Sequence, residues 1–159
     1  MNLVQQIAKH LQEVHFGGNW TSVNLKNVLS DIEWEQAITP VDSLNTIAGL
    51  VYHINYYVRA IRQVLEGGSL DSKDIYSFDL PPICSREDWE KLKAQTWSDV
   101  EKLTLLIEKM PGSKLEENFV EEKYGTYYRN LHGLIEHTHY HLGQMMLIKK
   151  LIRKGAKSV

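Results

Sequence analysis

With 159 residues, 43% of them hydrophobic and 24% charged, the chain suits one globular domain over residues 1–159, large enough to keep a core without a disulfide or a metal staple. A net charge of −2 gives no basic footprint for nucleic acid, no apolar run approaches the roughly 20 residues of a membrane span, and the opening residues lack a signal-peptide pattern, so a cytoplasmic protein is expected. The lone cysteine, Cys84, excludes an internal disulfide and has no adjacent lysine or histidine to activate it, which makes it a bystander thiol.

In chain order, residues 1–15 place Leu3, Val4, Ile7, Leu11 and Val14 at helical spacing, and Gly17 and Gly18 end that helix. His10 and His15 lie five apart and about 140° apart around it, so they are poor co-ligands and read as surface histidines. Residues 19–39 read as one or two short helical turns capped by Thr21 or Ser22, with Leu25, Val28, Leu29, Ile32 and Trp34 inward. Trp20 and Trp34 read as core aromatics rather than pocket walls.

A second long helix starts after a cap at Asp42 or Ser43 and runs to Glu66. Leu44, Ile47, Leu50, Val51, Ile54, Val58, Ile61 and Leu65 mark its buried side, with His53 an anomaly close to that stripe and Tyr57 one turn later. Residues 69–85, punctuated by Pro81 and Pro82, form a long crossover able to cover a site. Ser85 with Asp88 caps a third helix over 86–110, whose inner side carries Trp89, Leu92, Trp97, Val100, Leu103, Ile107 and Met110. An irregular acidic link over 114–123 leads to a fourth helix over 125–154. Four long amphipathic helices with one long crossover between the second and third predict an all-α four-helix bundle.

The stretch 130–144, NLHGLIEHTHYHLGQ, sets His137, His139 and His141 within five residues. His137 and His141 share a face with Leu134, Met145, Ile148 and Ile152, flanked by Ile135, Leu142 and Leu151, while His139 points nearly the opposite way. A core-facing imidazole pair needs partners, and either hydrogen bonds or a metal serves. Bundles build metal sites from facing helices, which makes His53 a candidate third ligand beside His137 and His141. Asn130, Tyr57 and Gln144 are candidates to line the pocket or to orient an imidazole through its second nitrogen. No general base is identifiable.

The run His137-Thr138-His139-Tyr140-His141-Leu142-Gly143-Gln144, with His53 in a Leu50-Val51-Tyr52-His53-Ile54 setting upstream, resembles the DinB/YfiT-like superfamily of bacterial metal-binding four-helix proteins. The likeness runs through essentially the whole chain. It implies a divalent transition metal, zinc or nickel, on His53, His137 and His141, with water completing the shell. It further implies a homodimer and a small-molecule substrate, with transfer of a low-molecular-weight thiol such as bacillithiol as the leading chemistry and metal-dependent hydrolysis as the alternative. His10, His15, His132 and His139 match nothing in the family motif. A non-enzymatic helical interaction module is a competing reading. Nucleic-acid binding through Lys149, Lys150, Arg153, Lys154 and Lys157 is a weaker one, since cations at a helix C-terminus favour the dipole without any ligand.

Overall fold

The computed structural model describes residues 1–155. The chain is all-α, with six α-helices of which four are long, and there are no strands among the described residues. The long helices are α1 (Leu3–Phe16), α4 (Ile47–Leu65), α5 (Arg86–Lys109) and α6 (Tyr127–Gly155), and two five-residue helices, α2 (Leu25–Leu29) and α3 (Trp34–Ile38), lie between α1 and α4. Both α1 and α4 pack against α5 and against α6, so two helices of the set each touch the same other two.

Each long helix starts where its sequence supplies a cap. Asn2 and Gln5 form a reciprocal capping box on α1, Thr46 accepts from the Gly49 amide at the start of α4, and Ser85 accepts from the Asp88 amide at the start of α5. Expected boundaries shift in the first half. The second long helix begins at Ile47 behind Thr46, not behind Asp42 or Ser43, because residues 41–44 close a turn in which Asp42 takes a positive φ of 48°. Leu44 therefore stays exposed instead of joining the buried side. Likewise Asn24 and Glu33, not Thr21 or Ser22, open the two short helices. Gly17, at φ 116°, stops α1 in a backbone conformation that a side chain would strain.

The core gathers the apolar faces of all four long helices, with Leu11, Ile54, Leu103 and Leu142 among its fully buried side chains. Trp89 is buried and donates its indole Nε1–H to Ile32 O at 3.0 Å, tying α5 to the turn after α2. Trp34 is half-buried against the core, whereas Trp20, expected inside, is 98% exposed beside the Ser22 turn. Leu151, expected beside the buried stripe of α6, is exposed as well. Asp31 accepts from both Lys149 and Arg153, and Lys149 also donates to Val28 O at 2.8 Å, which clamps the α2–α3 turn to the end of α6. Two of the cations in the C-terminal basic run are thus engaged within the chain; Lys157 lies outside the described residues. No helix is long and apolar enough to cross a membrane among the described residues.

Candidate metal centre

His53 lies on α4, while His137 and His141 sit on successive turns of α6. Packing of α4 against α6 brings the three rings together, His53 from 84 residues upstream of His137. His137 Nε2 is 3.0 Å from His53 Nε2 and 2.9 Å from His141 Nε2. Among the described residues this is the one group of three or more His, Cys, Asp or Glu side chains close enough to hold a metal ion.

Hydrogen bonds at the far nitrogens determine what the near ones can do. His53 Nδ1 donates to Ser77 O at 3.3 Å, and His141 Nδ1 donates to Gln144 Oε1 at 2.6 Å. A carbonyl oxygen only accepts, so in the neutral ring each of these imidazoles turns a bare Nε2 lone pair inward. A single proton on His137 Nε2 can serve one of the two facing lone pairs but not both, and His137 Nδ1 is buried with no partner. Hydrogen bonding alone leaves the cluster frustrated, whereas one cation satisfies three lone pairs at once. Spacing agrees: two nitrogens about 2.1 Å from a common ion lie about 3.0 Å apart at a right angle and about 3.4 Å apart at the tetrahedral angle. The observed 2.9 and 3.0 Å set His137 Nε2 at right-angle spacing from each of the other two, and all three ligand atoms lie within 4.8 Å of one another.

Protonation is held off as well. Burial lowers His137 to about 4, helped by its neighbours His141 and His53. Burial also lowers His53, with His141 contributing, and it lowers His141 against the opposing pull of Gln144. All three imidazoles are therefore neutral near pH 7, the state in which they donate to a metal.

The crossover covers this centre as its length suggests. Its short turn Asp74–Tyr76 carries Ser77 and Phe78 onto His53, where the Phe78 ring stacks at 4.0 Å and 11°. Tyr57 stands edge-on to His53 at 5.1 Å and to His137 at 5.0 Å, and its hydroxyl donates to Asp74 Oδ1 at 3.1 Å. Of the residues considered for orienting an imidazole, Gln144 does so and Tyr57 does not. Asn130 lines the adjoining cleft, with its amide donating to Tyr124 O and Thr126 O. Ser77 and Phe78 had no sequence signal beyond the length of the loop that carries them.

The other histidines stand apart. His10 lies between His132 and His139, with ring centroids 6.4 and 6.2 Å away, in the contact of α1 with α6. His15 corrects the expectation of a surface residue: it is fully buried, donates from Nδ1 to Leu11 O at 2.8 Å, and is lowered to about 4 chiefly by burial. Cys84 is exposed and free.

Beside the triad opens a cleft of about 620 Å³, of which His137 and Tyr57 form part of the wall. That size is within the range of small-molecule sites. No family model, curated protein or solved structure matches the chain.

Proposed function

We propose that the chain is a DinB-like four-helix bundle, assembled as a homodimer, that holds one divalent transition metal, zinc or nickel, on His53, His137 and His141 and transfers a low-molecular-weight thiol to small electrophiles. The observation that carries the metal is the convergence of three Nε2 atoms, two of them left as lone pairs by fixed donation from Nδ1. When bound, a divalent ion supplies Lewis-acid activation of a coordinated thiol or water at neutral pH. Ser77 and Gln144 hold the tautomers, Phe78 and Tyr57 keep bulk water from the imidazole faces, and the cleft admits a substrate to the side of His137.

None of the three imidazoles hydrogen-bonds to a carboxylate among the described residues. A metal deprotonates a thiol outright, whereas a water benefits from a base, and the triad itself carries none. Asp74, a carboxylate in the cleft wall, gives hydrolysis its footing as the second reading. Zinc- or nickel-loaded protein incubated with bacillithiol and monobromobimane should form the conjugate faster than the uncatalysed mixture, and His141→Ala should lose that rate while keeping its helical circular dichroism. Equal rates with and without the native protein would remove thiol transfer and leave the metal centre standing.

A further inference from the structure

Gly133 sits in the interior of α6, where glycine is disfavoured, yet nothing lies within 4 Å of the position its missing Cβ would take. No close helix contact calls for it. What the missing side chain leaves is open space in the wall of the cleft beside the triad. Arg129, Gly133 and His137 follow one another at four-residue intervals and all line that cleft, so one face of α6 presents in turn a cation, a gap and a triad imidazole. Eight residues of helix separate the Cα atoms of Arg129 and His137 by about 12 Å.

The same wall carries the apolar side chains of Ile61, Leu70 and Phe119 beside polar Ser72 and Asn130. Lys73 adds a second cation, and neither Lys73 nor Arg129 has an ion-pair partner among the described residues. The single carboxylate in the wall, Asp74, already accepts from the Tyr57 hydroxyl. Two unpaired cations against one engaged carboxylate select an anion, and the apolar side chains of the wall suit an apolar body attached to it.

We propose that the substrate of this site is an elongated small molecule with an apolar body and a terminal carboxylate, the carboxylate held by Arg129 with help from Lys73, the body lying over Gly133, and the opposite end presented at His137. As a statement about substrate it rests on the metal reading; as a statement about binding it does not. A planar guanidinium pairs with a carboxylate through two parallel hydrogen bonds, so Arg129 is the specificity determinant and Gly133 supplies the room.

Octanoate and its neutral counterpart octanamide are suitable probes, titrated into the ¹⁵N-labelled, zinc-treated full chain while the amide signals of Gly133 and Arg129 are followed. Octanoate should bind at least about fivefold more tightly than octanamide, and Arg129→Gln should remove that advantage while changing octanamide by less than about twofold. Gly133→Leu should abolish both titrations without lowering the melting temperature or the metal content. Equal affinity for the two probes, an unchanged octanoate affinity in Arg129→Gln, or undiminished binding in a folded Gly133→Leu would each overturn the proposal. Elemental analysis of the same samples, with His141→Ala as a metal-depleted companion in which octanoate still shifts Gly133, separates failure of the carboxylate site from failure of the metal centre.

Discussion

His53 and His141 each donate an Nδ1 proton to a fixed acceptor, and the two acceptors differ in how readily they can be tested. Ser77 offers a backbone carbonyl, but Gln144 acts through its side chain. Gln144→Ala frees the His141 ring to turn or change tautomer, so zinc affinity measured against a competing chelator should fall about 10–100-fold. A loss below twofold would show that Gln144 does not hold the ring. The pair His137 and His141 is legible from four-residue spacing on an apolar face, and His53 from its nearness to the apolar stripe of α4. Ser77 and Phe78 are not legible, because the crossover carries no periodicity that says where it lands. The burial of His15 is legible as well, since Val4, Ala8, Leu11 and His15 follow one helical stripe, all of it buried.

His15 also gives the fold a dependence on pH. Its pKa is lowered from 6.5 to about 4 in the folded chain, so between those values the unfolded chain binds the extra proton. Stability is fully present above about pH 6.5 and is lost as pH falls toward 4. The difference of about 2.5 units corresponds to roughly 3 kcal/mol at the acid end. In urea unfolding of metal-free protein at pH 7 and pH 4.5, His15→Leu should lose about 2–3 kcal/mol less than the native chain over that interval. An identical loss in both would assign the acid sensitivity elsewhere.

At the scale of elements, the four long helices follow from their apolar period, and the start of α5 from its Ser85 cap, while the partners of each helix do not. An apolar stripe says that a face is buried without saying against which helix. Asp99 illustrates the gap: it shares a stripe of α5 with Thr96, Leu103 and Ile107, and only the structure shows that it meets Arg62 and Asn55 of α4. Asp99 is fully buried, so Asp99→Ala should cost about 1–3 kcal/mol in denaturant unfolding by leaving the buried Asn55 amide without its acceptor and Arg62 with Glu66 alone. A cost under 1 kcal/mol would mean that water relieves Arg62 at once. In α6, Gly133→Ala should stabilise the chain by about 1 kcal/mol, because the site has room for the methyl and alanine is the better helix former. Interior glycine is a visible signal in the sequence; that it borders a cleft is not.

For the whole molecule, a metal held on the triad would join α4 to α6, and Ser77 and Phe78 tie the crossover to His53 of α4. A ligand that binds only the folded state stabilises it by mass action, by about 4 kcal/mol at a free concentration 1,000 times its dissociation constant. Thermal unfolding should therefore shift upward on adding zinc or nickel and return on adding a chelator. Since the imidazoles must be neutral to bind, the shift should shrink as protons compete at lower pH. Residues from two long helices and a loop make this centre, and the sequence could name the helical ones because each belongs to a periodic element.

The most direct measurement is elemental analysis of the native chain, purified without a histidine tag, beside His141→Ala prepared in the same way. Three convergent imidazole nitrogens predict about one zinc or nickel ion per native chain and a variant depleted by at least about tenfold, with both proteins equally helical. A native protein that carries no stoichiometric transition metal after exposure to zinc and nickel, or a variant that retains as much as the native chain, would contradict the centre on His53, His137 and His141.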